Sequence, residues 1–136
     1  MRRVEDFDLG PIEGALAALL TKSPAPQMRM ACLRTAMNYV QGARARISGA
    51  YLIMFDVGRT WYSPDPLLME ELVLKVYPDD RSRTLEQIVS EDLPGLAKLH
   101  GCRAVVVGDT QIGYMRPRYE AAGYVPTGTE LIKFVR

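Results

Sequence analysis

The sequence predicts a mixed α/β domain in which one sheet carries helices on both faces, and three observations predict it. Apolar residues recur at helical spacing up to Val40. The period then changes at Tyr51–Phe55 to an unbroken apolar run of strand length. Finally, a strand, a helix and a second strand follow one another from Leu67 to Val107, the order of a crossover unit.

The first helix begins where Asp8 or Gly10 caps the chain and Pro11 takes the first position, with Ile12, Leu16, Leu19 and Leu20 on one face. Ser23-Pro24-Ala25-Pro26 breaks it. A second helix is expected from Gln27 to Gln41, with Met30, Leu33, Met37 and Val40 inward. Tyr51–Phe55, a turn over Asp56–Arg59 and a strand through Trp61-Tyr62 read as a hairpin, ended by Pro64 and Pro66. Leu67–Tyr77 reads as a long strand and Arg83–His100 as a helix opened by a Thr84/Gln87 capping box. Pro94-Gly95 should kink or restart that helix, because Pro94 removes a backbone donor. Ala104–Val107 then reads as a buried strand, Pro117–Ala122 as a short helix closed by Gly123, and Glu130–Val135 as an alternating last strand.

With 136 residues, 48% of them apolar, the chain is long enough for one core, so residues 1–136 are read as a single ordered domain. Lys and Arg number 17 against 16 Asp and Glu, a balance that supplies no field for nucleic acid or an anionic membrane. Arg44 and Arg46 read as a solvated helix end. Cys32 and Cys102 read as packing residues of a reducing compartment, and no grouping has metal-ligand spacing. The apolar runs are far short of a membrane span, and the expected location is cytoplasmic.

Chemistry concentrates in Leu74–Glu86, where a strand turns into a helix whose first N–H groups and positive dipole end favour an anion, with Arg81 and Arg83 beside it. An ordinary strand-to-helix connection with two solvated arginines is the alternative.

This stretch resembles motif A of the GNAT acetyltransferase superfamily, in which a strand ending Val-x-Pro leads to an Arg or Gln-x-x-Gly-x-Gly or Ala loop around the CoA pyrophosphate. Val76, Pro78 and Arg81 match in place. Tyr119-Glu120-Ala121-Ala122-Gly123-Tyr124 resembles the family's Tyr-Glu-x-x-Gly-Phe element, and residues 126–131 its closing hairpin. Tyr51–Val73 is also similar to small acetyltransferase-like proteins of tailed phages. The resemblance implies a mixed, largely antiparallel, twisted sheet of about six to seven strands with helices on both faces. It implies acetyl-CoA as cosubstrate, held by Leu74, Val76, Arg81, Ser82, Arg83 and Thr84, and an amine acceptor, small molecule or protein. The sequence departs from the motif where Thr84 and Glu86 replace two glycines, which degrades the pyrophosphate loop.

Acetyl transfer needs a base for the amine proton and an acid for the leaving thiolate. Glu70 interrupts the apolar, even-numbered face of its strand, and Glu71 is the reserve on the other face. The resemblance places the acid at Tyr119. Trp61 and Tyr62 are candidate walls of an acceptor pocket, or cross-strand packing. The function expected is an acyl-CoA-dependent N-acetyltransferase. The rival is a non-catalytic protein of the same fold, such as a phage structural or host-interaction protein, located in host cytoplasm or virion among other virion proteins. The last strand has bulky apolar residues on both faces, so a homo-oligomer joined there is expected.

Overall fold

The computed structural model describes residues 1–108, 115–128 and 131–135. Among the described residues, five strands form one sheet in sequential order: β1 (Arg2–Arg3), β2 (Ala45–Ser48), β3 (Tyr51–Gly58), β4 (Leu67–Lys75) and β5 (Ala104–Val107). The first three pairings are antiparallel and β4–β5 is parallel. That parallel pair requires a crossover, supplied by the helical stretch between the two strands.

Among the described residues the count is five, against the expected six to seven, and the membership also changes. β1 and β2 are short and rich in arginine, so they lacked a strand signature. Arg46 therefore belongs to a strand rather than a helix end, and its guanidinium reaches back to the Ala43 carbonyl. Conversely, Trp61-Tyr62 is no strand. The Gly58–Leu67 pair closes the hairpin, and residues 59–66 form a loop in which two prolines cannot donate to a ladder. Of the expected last strand, Glu130 lies outside the described residues. Residues 131–135 carry no strand, and Arg29 stacks over the Phe134 ring at 4.5 Å.

Helix α1 (Leu9–Lys22) starts at Asp8, whose carboxylate accepts from the Gly10 N–H, so Pro11 sits inside the first turn rather than at its first position. The expected second helix divides. Pro26–Met30 closes as a 3₁₀ turn, Ala31 and Cys32 are extended, and α2 runs Leu33–Val40. Met30 therefore faces outward, 63% exposed, and Cys32 is exposed rather than packed. α1 and α2 cover one face of the sheet through Ile12, Leu16 and Val40 on Leu52, Met54 and Leu72.

The other face carries a continuous helical body: α3 (Leu85–Gln87), a π-helical turn (Ile88–Asp92) and α4 (Leu93–Leu99). The Thr84/Gln87 capping box forms in both directions. Pro94 was expected to kink or restart the helix; the α-helix does restart there, at Leu93, directly after a π turn in which the Leu93 N–H donates to the Ile88 carbonyl. Ile88, Val89, Leu93 and Leu96 pack on Ile53, Phe55, Leu68 and Val73. Helix α5 (Arg116–Ala121) closes this layer through Tyr119. β5 is only half buried, with Val106 41% exposed, and it is the last strand of the sheet among the described residues.

Candidate active site

The site is built on an irregularity of β4. Met54 stands opposite Leu72, but the next residue, Phe55, stands opposite Glu70, so Glu71 is an extra residue bulged out of the ladder. The bulge reverses the parity of the strand. Leu68, Glu70 and Val73 share the face of Phe55 and Ile53, while Leu72, Leu74 and Val76 turn to the α1–α2 face. The even-numbered apolar face read from the sequence is thus two faces. Glu70 is 8% exposed on the helical side, and Glu71 is exposed on the opposite one.

Glu70 also marks where the sheet opens. β4 and β5 pair from Leu67–Ala104 to Glu70–Val107, where β5 ends. β4 continues to Lys75 paired with β3 alone, so the edge of β4 that includes Leu74 has no strand partner among the described residues. Val76, two residues later in chain order, is committed to the turn: its N–H donates to the Ala50 carbonyl at 2.7 Å.

Tyr119 and Tyr124 approach this opening from α5. Gly123 has φ 93°, its N–H donates to the Glu120 carbonyl, and the Tyr124 N–H donates to the Tyr119 carbonyl at 3.0 Å. That is a Schellman stop, in which the residue after the glycine packs on the one five positions earlier. The Tyr119 and Tyr124 rings accordingly lie 5.2 Å apart. Tyr119 is buried, and the Tyr124 hydroxyl donates to the Val89 carbonyl at 2.9 Å. Burial, aided by the negative charge of Glu70, pushes the Tyr124 phenol up to about 12. Both tyrosines, with Val106, Val107 and Arg116, line a cleft of about 590 Å³.

At the far end of β4 a second cleft, of about 450 Å³, is lined by Lys75, Arg81, Arg83, Thr84, Glu86 and Arg118, among others. Its loop is strongly self-bonded. Asp80 accepts from both the hydroxyl and the N–H of Ser82, and these bonds hold its carboxyl below the ordinary range. Thr84 Oγ1 accepts the Gln87 N–H and Gln87 Oε1 accepts the Thr84 N–H. The Arg83 guanidinium donates to Glu91 at 2.8 Å and to Asp92 at 2.7 Å, whereas Arg118 pairs with Glu86 at 3.2 Å.

The structure therefore brings Glu70 and Tyr119 to the opening of the sheet and gathers Arg81, Arg83 and Thr84 around one cleft, with Ser82 in the loop between them. It keeps Trp61 and Tyr62 apart from both clefts, in the β3–β4 loop, stacked edge to face at 5.6 Å and 95% and 65% exposed. Lys75, Arg118 and Tyr124 were not singled out as site residues. Lys75 ends a leucine-rich strand and Arg118 lies 32 residues from Glu86, so only the fold joins them to the loop. Tyr124 had a signal, since it follows the helix-stopping glycine.

No family model matches the chain, and no curated protein matches it. Solved structures do. A ribosomal-protein-alanine N-acetyltransferase from Brucella melitensis superposes with a TM-score of 0.64 at 16% identity, over 93% of this chain and 92% of that one. An aminoglycoside N-acetyltransferase, AAC(6')-Iy in complex with CoA, gives 0.61 at 14% identity over 100% and 91%. An acetyltransferase from Trypanosoma brucei gives 0.56 at 19% identity over 94% and 93%. At these identities the likeness is one of fold: the chain shares the architecture of these acetyltransferases along nearly its whole length.

Proposed function

We propose that this chain is an acyl-CoA-dependent N-acetyltransferase that moves an acetyl group from acetyl-CoA to an amine. The observation that carries the reading is the parting of β4 from β5 at Glu70, with Tyr119 buried on the same face and a basic loop at the far end of β4. When bound, acetyl-CoA supplies an activated thioester carbonyl. The open edge of β4 at Leu74 offers backbone hydrogen bonds to an extended pantetheine arm, and Lys75, Arg81 and Arg118 offer charge to its phosphates. Glu70 takes the proton of the attacking amine as the new C–N bond forms. Tyr119 gives its phenolic proton to the sulfur as the C–S bond breaks, and the two residues exchange the proton through solvent afterwards.

A second reading has its own observation. The capping box occupies the N–H groups of Thr84 and Gln87, and Arg83 is bound to two carboxylates, so the loop is closed on itself. A non-catalytic protein of the same fold, such as a phage structural or host-interaction protein, is compatible with such a loop. Titration calorimetry with acetyl-CoA, followed by release of free thiol in the presence of a panel of primary amines, separates the two. Binding with amine-dependent thiol release supports the enzyme, and absence of both supports the rival. The outer edge of β5, without a strand partner among the described residues, together with exposed Leu131 and Val135, supports assembly with a second copy. Light scattering at high micromolar concentration checks that point.

A further inference from the structure

Within the helical body, the π turn and Pro94 create one specific vacancy for a hydrogen-bond donor. The Leu93 N–H reaches back five residues to Ile88 rather than four to Val89. On that register the donor due to the Val89 carbonyl belongs to position 94, which is proline and has no N–H. Val89 is fully buried, so water cannot reach its carbonyl cheaply. The hydroxyl that fills the vacancy comes from Tyr124, 35 residues away, at 2.9 Å. Because Tyr124 is also the residue after the Schellman glycine, its ring lies against Tyr119 at 5.2 Å. One side chain therefore completes the π turn and backs Tyr119.

We infer that Tyr124 is a positioning residue: its hydroxyl stands in for the backbone donor that Pro94 lacks, and the bond pins the end of α5 to the π turn so that Tyr119 is held at the opening between β4 and β5. A phenylalanine at 124 would preserve the ring contact and lose the pin. The link to turnover rests on the acetyltransferase reading; the pin itself does not.

Four proteins test this: the natural chain, Tyr124→Phe, Pro94→Ala and the double variant. Alanine at 94 restores a backbone N–H that can serve Val89, so it satisfies the carbonyl without restoring the tether to α5. Tyr124→Phe should lower the folding constant roughly tenfold by urea denaturation, the scale of a buried acceptor left unsatisfied. In the Pro94→Ala background the same change should cost less than about threefold. Hydrogen exchange over residues 116–124 should speed up on Tyr124→Phe in both backgrounds. So should turnover fall, by about tenfold in both, with acetyl-CoA affinity unchanged in calorimetry. Equal stability costs in the two backgrounds would overturn the idea that Tyr124 replaces the missing donor. Recovery of turnover or exchange protection along with stability in the double variant would reduce Tyr124 to a packing role. If the natural chain turns over no amine at all, the acetyltransferase reading fails alone, and the stability and exchange arms still decide the pin.

Discussion

Ser48 donates its hydroxyl to the Asp92 carboxylate at 2.7 Å, although 44 residues separate them in sequence. The other carboxylate oxygen accepts from Arg83 at 2.7 Å, so one buried group ties the end of β2 to the π turn and to the loop before α3. Removing that carboxylate leaves the hydroxyl and the guanidinium to find new partners. Asp92→Ala should lower unfolding free energy by about 2–3 kcal/mol, below the full value for a buried pair because Arg83 retains Glu91 and some solvent. Ser48→Ala should cost about 1 kcal/mol. Urea denaturation with unchanged m-values checks both.

The same junction constrains Gly49. Its φ is +55°, and a Cβ there would fall 2.9 Å from the Arg83 Cβ. Gly49→Ala should therefore cost roughly 1–3 kcal/mol. Its effect should be non-additive with Asp92→Ala, because both substitutions act on Arg83. A sum of the two single costs in the double variant would show that the contacts are independent.

For the proposed chemistry, Glu70→Gln should abolish the low-pH limb of the rate profile, while Tyr119→Phe should lower turnover much more than acetyl-CoA affinity. A profile identical to the natural one would remove Glu70 as base. Glu71 would be a poor substitute, since the bulge turns it to the α1–α2 face.

At the loop, Thr84→Gly with Glu86→Gly removes the capping box and one carboxylate from the cleft. The helix start should lose roughly 1–2 kcal/mol. Acetyl-CoA affinity should nevertheless rise by about tenfold or more, as backbone N–H groups are released and like-charge repulsion falls. Arg118 already offsets part of the Glu86 charge, so Glu86→Gly alone should give the smaller gain. Calorimetry at one ionic strength measures each, and no gain in the double variant would count against an anion site here.

Tyr124 also makes an alkaline prediction. Its phenol titrates near 12 when folded, against an ordinary value of 10, owing first to burial and then to Glu70. The folded state therefore holds this proton more tightly than the unfolded chain. The associated stability is complete below about pH 10 and is lost as pH rises from there toward 12. Solvent screening of a half-buried ring limits the loss to ~1 kcal/mol. Tyr39 and Tyr77 are raised as well, so the measurement is a difference: between pH 9.5 and 11.5, on the order of the range named, Tyr124→Phe should lose less stability than the natural chain.

What could be read from the sequence is what neighbouring residues decide among themselves. The Asp8 cap, the Thr84/Gln87 box, the Gly123 stop and the apolar faces of α1 and the helix after Thr84 each depend on a few consecutive side chains and their own backbone. The crossover order, and the placement of Arg81 in the loop before Thr84 and of Tyr119 on the short helix before Gly123, follow from the same local signals. Tertiary structure decided everything that depends on a partner. The bulge at Glu71 exists only as a mismatch between β3 and β4, and it alone turns Glu70 to the helical face and divides the apparent apolar stripe. The short strands β1 and β2 gain their hydrogen bonds from β3 outward and have no strand pattern to announce them. Trp61 and Tyr62 are exposed because the ladder ends at Gly58, before reaching them. The Val89 carbonyl that the π turn and Pro94 leave without a backbone donor is satisfied by Tyr124 from beyond β5, a contact that no run of consecutive residues encodes. Cap and turn energies act over a few bonds of chain, whereas strand register and the donors for buried carbonyls are set by whichever segments the fold brings together.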